Sequence, residues 1–174
     1  MSEMKTSFFP ALISIFLIFV AISSGCSSSE NQVKDGLVKV AKDYVSAQLR
    51  NPETRILQDS TIMVGDSTIR YFIQPSGIRT GLIDGDNSVD GIVPVTSMER
   101  TGRILSEHLI ILNINDKLLM IKSIESDMKI ISIKDRIISA DVPTHPVNNP
   151  LHDCPVCTEV KKYHFSDGDL KEIQ

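Results

Sequence analysis

Three strand-turn-strand units in the second half of the sequence constrain its fold most strongly. They run from His108 to Ile124, from Met128 to Val142 and from Glu159 to Ile173. Their turns are predicted at Asn115-Asp116, Asp135-Arg136 and Asp167-Gly168. Asn-Asp and Asp-Gly tolerate the positive φ of tight hairpin turns, so turn chemistry and strand pattern agree. The pattern predicts an antiparallel, largely meandering sheet.

A single amphipathic helix is predicted before the strands, from Gln32 to Arg50. Ser29 or Asn31 can cap its start, and Asn51-Pro52 ends it because proline disfavours helical geometry in the residue before it. Its apolar residues share one stripe at helical spacing: Val33, Leu37, Val40, Ala41, Tyr44, Val45 and Leu49.

Shorter strands are predicted between the helix and the first hairpin, at Ile56 to Val64, Ile69 to Gln74 and Gly91 to Ser97. One helix can cover one face of such a sheet. We therefore expect an α+β fold in which the helix packs on a mainly antiparallel, meander-type β-sheet, or a partly closed barrel if the sheet curls. The long irregular segment is Asp141 to Pro155, which contains four prolines.

The N-terminus has the layout of a signal peptide. An apolar run of 15 residues, from Phe8 to Ile22 inclusive, follows Lys5 and leads into Ser23-Ser24-Gly25-Cys26. The run is shorter than the roughly 20 apolar residues that a membrane-spanning helix needs. It predicts a cleaved leader rather than a permanent span.

Small residues directly before Cys26 resemble a lipobox, in which the cysteine thiol is acylated and becomes the new N-terminus. Ser23 stands where leucine is usual, and an ordinary secretory signal followed by a chance cysteine is the alternative. Multiple acyl chains on Cys26 would anchor the chain stably in membrane lipid. The polar residues Ser27 to Gln32 would then form a short tether.

Cleavage before Cys26 would remove 25 of 174 residues and leave 149, enough for one domain with its own core. We expect a leader over residues 1–25, a lipidated cysteine and tether over 26–32, and a single envelope domain over 33–174. The net charge is −4 and no basic stripe is present, which argues against nucleic-acid binding.

Acidic residues cluster between two predicted strands, in the sequence Asp84-Gly85-Asp86-Asn87-Ser88-Val89-Asp90. Carboxylates at alternate positions around a tight turn bring their oxygens together, as Ca²⁺ requires. Asp84, Asp86 and Asp90 would supply carboxylates and Ser88 a hydroxyl or carbonyl. The alternative is an acidic turn that uses Asp and Gly for its geometry alone.

Lipidation of Cys26 would leave Cys154 and Cys157 as a pair, and an oxidising envelope favours a local disulfide between them. Two alternatives remain, a redox role for this pair and a zinc site that also uses His145 and His152. No catalytic motif accompanies these residues, and the histidines at 108 and 164 read as ordinary strand residues.

From Gly81 onward the order of motifs resembles a group of uncharacterised envelope lipoproteins of Bacteroidetes-like bacteria. The pattern of that group is a Gly-Asp-Leu-Asp-Gly-Asp-Gly turn entering an apolar strand, a hairpin, a Gly-Asp-Arg-apolar strand start, a Thr-His loop with cysteines and proline, and a final Tyr-containing hairpin. Their counterparts here are Gly81 to Asp86 with Asp90 to Val93, Asp127 to Ile130, Thr144-His145 through Cys154, and Tyr163 to Phe165. The resemblance implies an extracytoplasmic domain and assigns no catalytic residue.

We therefore expect a non-enzymatic, membrane-anchored lipoprotein with a binding or structural role in the cell envelope. Its partners would be membrane lipid, through acylated Cys26, and another envelope protein. The outer membrane is favoured if the host has two membranes, because Ser27 rather than Asp follows the cysteine.

Overall fold

The computed structural model describes residues 26–144 and 157–173. The chain divides into two compact units, residues 1–33 and 34–174, and the packing described below lies within the second. The described elements are the helix α1 Cys26–Ser46, the strands β1 Glu53–Ile56, β2 Ile62–Gly65, β3 Ile69–Ile73, β4 Arg79–Gly81, β5 Asp90–Glu99, β6 Ile104–Ile114, β7 Lys117–Glu125, β8 Lys129–Lys134, β9 Ile137–Pro143, β10 Thr158–Ser166 and β11 Asp169–Ile173, and a 3₁₀ turn Pro75–Gly77.

Helix α1 lies further toward the N-terminus than its sequence pattern predicted. It starts at Cys26, so the segment 27–32, expected as a short polar tether before the helix, is itself helical. That segment contains no proline or glycine to interrupt a helix. At the other end, the backbone N–H groups of Gln48 and Leu49 donate to carbonyls three residues earlier. This tightened turn ends the helix four residues before Arg50.

Strands β1 to β7 form one antiparallel sheet, the first sheet, in the order β1-β2-β3-β5-β6-β7. Strand β5 is long enough for two neighbours on one edge. Residues 95–99 pair with β3, whereas residues 90–92 pair with β4. The turn Pro75–Gly77 separates the two partners. Strand β4 was not predicted from the sequence, because three residues are too few to show an alternation.

Strands β8 to β11 form a second antiparallel sheet, in the order β11-β10-β9-β8. The three predicted hairpins are confirmed as β6–β7, β8–β9 and β10–β11, and all three turn dipeptides have positive φ. The α+β prediction is confirmed as well. Neither sheet closes on itself in the part of the chain that the structure describes, so the partly closed barrel is not adopted.

The predicted strand from Ile56 to Val64 is wrong, since the structure replaces its centre by a turn. Ser60 has φ of +64°, and the Asp59 side chain accepts a hydrogen bond of 3.1 Å from the N–H of Thr61. Such a local bond stabilises a turn at the expense of the strand ladder. The segment therefore folds as two short strands, β1 and β2, in a hairpin.

Two cores share the first sheet, one on each of its faces. Residues alternate along β5 and β6, so Gly91, Val93, Leu109 and Ile111 share one face. A Cβ on Gly91 would collide with the end of Leu37, which shows that this face lies directly against α1. The helix buries its side chains there completely: Leu37, Ala41 and Val45.

The opposite face of the first sheet packs against the second sheet. Ile92, Ile110 and Leu112 from the first sheet join a cluster that the second sheet completes with Ile130, Ile133, Ile138, Ala140 and Phe165. Burial of each large aliphatic side chain contributes roughly 1.5–3 kcal/mol. Within the described residues of the second unit, the layers are therefore helix, first sheet and second sheet.

Strand β4 joins the two sheets at close range. A Cβ on Gly81 would lie 2.7 Å from the carbonyl oxygen of Ile133 in β8, so only glycine permits this approach. Nearby, Nε of Arg79 donates to the carbonyl of Ile131 at 2.9 Å. Ile131 is the extra residue of a β-bulge in β8, where the register with β9 shifts between Ile130 and Ser132.

Candidate functional site

The acidic loop, residues 82–89, connects β4 to the first residue of β5. One carboxylate oxygen from each of Asp84, Asp86 and Asp90 lies within 4.8 Å of the others. Asp84 and Asp86 are exposed, whereas Asp90 is fully buried. The structure therefore brings together the three carboxylates that the sequence proposed.

Asp90 holds the base of the acidic loop in place. Its Oδ2 accepts a hydrogen bond of 2.7 Å from the N–H of Ile83, and its Oδ1 accepts one of 2.9 Å from the N–H of Asn113. The first bond fixes the start of the loop and the second fixes it to β6. Burial raises the pKa of Asp90, and these two N–H donors oppose that rise.

Asp84 and Asp86 shape the exposed part of the loop. Oδ1 of Asp84 accepts from the N–H of Asp86 at 3.1 Å, and Oδ1 of Asp86 accepts from the N–H of Ser88 at 2.7 Å. Both bonds span two residues and form successive Asx turns. Ser88 was predicted to supply a hydroxyl or carbonyl ligand. The hydrogen bond described for it uses its backbone N–H, which donates to Asp86, and involves neither of these oxygens.

An arginine from the second sheet contacts the same loop. Arg136, in the β8–β9 turn, donates from Nη2 to the carbonyl of Gly85 at 2.8 Å. No cation lies within 4.0 Å of a carboxylate oxygen of Asp84, Asp86 or Asp90 among the described ion pairs. The positive charge of Arg136 is thus next to the loop without forming an ion pair with it.

The spacing of the three oxygens fits a single divalent ion. Ca²⁺ binds oxygens at about 2.3–2.6 Å, so two ligands on opposite sides of one ion lie up to about 5 Å apart. A set within 4.8 Å can therefore surround one ion. Oδ2 of Asp84 and Oδ2 of Asp86 take part in no described hydrogen bond, and Asp90 has a second lone pair on each oxygen.

The predicted cysteine site falls mostly outside the described residues. Cys154, His145 and His152 all lie in residues 145–156, and the disulfide, redox and zinc interpretations stay predictions. At the edges of that segment, the carbonyl of Cys157 accepts from the N–H and from the hydroxyl of Thr144, both at 3.0 Å. These bonds hold the two ends of the proline-rich segment together.

A buried histidine is the first feature that the sequence interpretation missed. His108 in β6 is only 4% exposed and borders a cavity of about 220 Å³ between the two sheets. In β6, His108 lies on the same face as Ile110 and Leu112. Its two-residue spacing from these apolar residues is the sequence feature from which its burial could have been predicted. His164, in contrast, is half-buried, as expected for an ordinary strand residue.

A polar groove is the second missed feature. It has a volume of about 1220 Å³ and lies beside the end of α1 and the first hairpins, with Arg50, Arg55 and Arg70 among its lining residues. Arg55 pairs with Glu53 at 3.0 Å. Hydrogen bonds from the hydroxyl and N–H of Thr68 lower the pKa of Asp66, in the same groove, to about 2. The groove therefore combines fixed charges of both signs.

No protein-family model, curated protein or solved structure matches this chain. Within residues 26–144 and 157–173, no helix combines the length and apolar character needed to span a membrane. The apolar run from Phe8 to Ile22 and the leader as a whole lie outside the described residues, so leader and lipid anchor remain proposals.

Proposed function

We propose that this protein is a bacterial lipoprotein of the cell envelope, anchored by acyl chains on Cys26 and facing away from the cytoplasm. The observation that carries the proposal is the sequence Ser23-Ser24-Gly25-Cys26 directly after an apolar run of signal-peptide length. Acylation at this residue would place the folded body next to the membrane surface.

The role we propose for the body is non-enzymatic, either structural or in binding another envelope component. A protein partner is supported by strand β7, which ends the first sheet and has no strand beyond it among the described elements. Leu119 and Ile121 on this strand are 46% and 40% exposed. An open edge with apolar side chains is a surface on which a partner strand can pair.

Metabolic labelling with a fatty acid, followed by mass spectrometry of the mature chain, tests the anchor. We expect a mature N-terminus at Cys26 that carries diacylglycerol, and a protein that fractionates with membranes. The C26A variant should lose both the label and the membrane association. The adjacent S27A variant is the matched control and should keep both. An unmodified Cys26, or a retained leader, would refute the proposal.

A second candidate function is binding of Ca²⁺ through the acidic loop, with Asp84, Asp86 and Asp90 as ligands. The observation that favours it is the convergence of three carboxylate oxygens within 4.8 Å. Mg²⁺ fits less well, since it requires shorter bonds and near-octahedral geometry. Bound Ca²⁺ would also favour the ionised form of buried Asp90.

Calorimetry with calcium chloride and, separately, with magnesium chloride tests this second function. We expect saturable heat and a rise in melting temperature with Ca²⁺. The D86N variant should lose both, because it removes an exposed carboxylate without disturbing the bonds of Asp90. The D116N variant changes an exposed turn residue outside the loop and should bind normally. Absence of any thermal shift at millimolar Ca²⁺ would exclude this function.

A further inference from the structure

Arginine replaces lysine over a long part of this chain. Residues 43–116 contain six arginines and no lysine, and every lysine of the chain lies before or after that segment. A guanidinium presents a planar fork of N–H donors, which matches the paired oxygens of phosphate and carboxylate groups better than an ammonium does. The segment that forms β1 to β6 therefore carries the cation best suited to oxyanions.

Three of these arginines come together at the turn between β2 and β3. The backbone N–H of Arg50 donates to Oδ2 of Asp66 in this turn at 3.4 Å, and the backbone N–H of Arg100 donates to the carbonyl of Thr68 at 2.9 Å. Arg70 is the second residue of β3, directly after the turn. The loop after α1, strand β3 and the loop between β5 and β6 thus each bring one arginine to the same turn.

Gly65 leaves space for the side chain of Arg70. The two residues are directly opposite each other in the ladder between β2 and β3. A Cβ at Gly65 would lie 3.0 Å from Cγ of Arg70 and 2.8 Å from the carbonyl oxygen of Ile69. Glu53 lies beyond Gly65 in the same row of the sheet, but it pairs with Arg55 at 3.0 Å. Arg70 is therefore accommodated here without a carboxylate partner.

The three arginines line two adjoining depressions. Arg50 and Arg70 line the polar groove, and Arg70 and Arg100 line a smaller cleft of about 270 Å³ on the other side of the turn. Within residues 26–144 and 157–173, no described hydrogen bond or ion pair involves the guanidinium of any of the three. Their N–H donors are therefore available to a ligand.

The carboxylates that line the groove and the cleft are engaged. Glu53 pairs with Arg55, and Glu99 pairs with Arg103 at 3.9 Å. Asp66 is the remaining one, and its oxygens accept from backbone N–H groups and from one hydroxyl of the turn. Three unpaired guanidinium groups against this one carboxylate leave an excess of two positive charges, in a chain of net charge −4. The excess matches a dianion.

We propose that the polar groove and the adjoining cleft bind the phosphate group of a phosphate monoester, with Arg50, Arg70 and Arg100 as its ligands. Such a group carries about −1.5 to −2 charges near pH 7 and has three acceptor oxygens, one for each guanidinium. A carboxylate has one charge and two oxygens. The hydroxyl of Ser67, at the tip of the turn, takes part in no described hydrogen bond and is a further donor.

The groove also limits what carries the phosphate. Its volume of about 1220 Å³ exceeds that of a phosphate group, so it accommodates the saccharide or lipid headgroup to which the phosphate is attached. The shared chemistry of these carriers is the terminal phosphate. The site uses no residue of the lipid anchor or of the acidic loop, so it is independent of both functions proposed above.

Isothermal titration calorimetry of the full chain in a nonionic detergent tests the site. The probes are inorganic phosphate, glucose 6-phosphate and dihexanoyl phosphatidate, which present the group free, on a saccharide and on a lipid. We expect saturable binding of at least one, and the tightest of the three identifies the carrier. Acetate and dimethyl phosphate are monoanions with two free oxygens, and each should bind at least tenfold more weakly.

Substitution of single arginines locates the site. R70Q should lose at least tenfold in affinity, because Arg70 lines both depressions, whereas R50Q and R100Q should each lose several-fold. R136Q is the matched control: it removes the same charge from the β8–β9 turn, outside both linings, and should bind like the unmodified chain. If R70Q fails to fold, R100Q serves instead, since Arg100 is an exposed loop residue.

A variant with the opposite effect separates ligand binding from a general loss of structure. E53Q removes the carboxylate that pairs with Arg55, so it releases a fourth guanidinium and should bind several-fold more tightly. The proposal is overturned if no phosphate probe gives saturable heat at millimolar concentration, or if acetate or dimethyl phosphate binds as tightly. It is also overturned if folded R70Q and R100Q both bind like the unmodified chain.

Discussion

Replacement of Asp90 gives the sharpest test of how the acidic loop is held. The side chain is fully buried, and its two oxygens accept from two different backbone N–H groups, those of Ile83 and Asn113. D90A removes both acceptors and leaves two donors buried without partners. D90N keeps one acceptor oxygen but turns its amide NH₂ toward the other N–H, so it loses one bond and brings two donors together.

The expected magnitude follows from these bonds. Each unsatisfied buried donor costs about 1–3 kcal/mol, which gives about 2–6 kcal/mol for D90A and about 1–3 kcal/mol for D90N. Removal of a buried negative charge offsets part of this cost, as the raised pKa of Asp90 indicates. We therefore expect a loss of about 2–4 kcal/mol for D90A. Domains of this size are stable by only about 5–15 kcal/mol, so the effect is large.

Urea unfolding followed by circular dichroism measures these changes. D84N and D86N are the controls, because their side chains are exposed and bond only within the loop; each should change the free energy of unfolding by less than about 1 kcal/mol. The order of destabilisation should be D90A, then D90N, then the two controls. A D90A variant with the unfolding midpoint of the unmodified chain would refute the reasoning, as would D84N being the most destabilised.

Three further predictions concern other parts of the fold. G81A should lose about 1–3 kcal/mol in urea unfolding, because its Cβ would force the backbone of β4 away from that of Ile133; an unchanged midpoint would contradict the close approach. Y71F should lose about 0.5–1.5 kcal/mol, since it removes the 3.0 Å bond from the Tyr71 hydroxyl to the Gln48 amide oxygen; equal midpoints for the two proteins would argue against that bond. Burial lowers the pKa of the His108 imidazole below its usual value of 6.5, so the imidazole is protonated more readily in the unfolded chain than in the folded chain. The free energy of unfolding is therefore unaffected by this group above pH 6.5 and decreases as the pH falls below that value, by at most about 1.4 kcal/mol per pH unit. Urea unfolding at several pH values should show a weaker decrease of stability with acid in H108F than in the unmodified chain, and an equal decrease in the two proteins would contradict this reasoning.

The hairpins could be predicted because their signals are local. Asn115-Asp116 and Asp167-Gly168 sit at positions of positive φ, which few residue types tolerate, and the flanking strands are long enough to show alternation. Such agreement between turn and strand needs no knowledge of the rest of the fold. The burial of Leu37, Ala41 and Val45 could be predicted in the same way, from spacing within a single helix.

Features that depend on distant parts of the chain could not be predicted. Strand β4 is held by its ladder to β5 and by contact with β8, not by its own composition. His108 appears as an ordinary strand residue until the second sheet covers its face. Asp90 was proposed as a ligand from the local pattern, but its bond to Asn113 spans 23 residues. The sequence pattern of the loop was therefore sufficient to group the three carboxylates and insufficient to show that one of them also has a structural role.

The structural role of Asp90, combined with its proposed role as a calcium ligand, restricts what the acidic loop can do. A calcium ligand that also accepts two backbone hydrogen bonds is held in one orientation before an ion binds. The same bonds let the loop keep its shape without an ion, because each of the three carboxylates already has an N–H partner. Ca²⁺ binding, where it occurs, should therefore shift the melting temperature without changing the secondary structure, whereas a loop that folds only with the ion would change both.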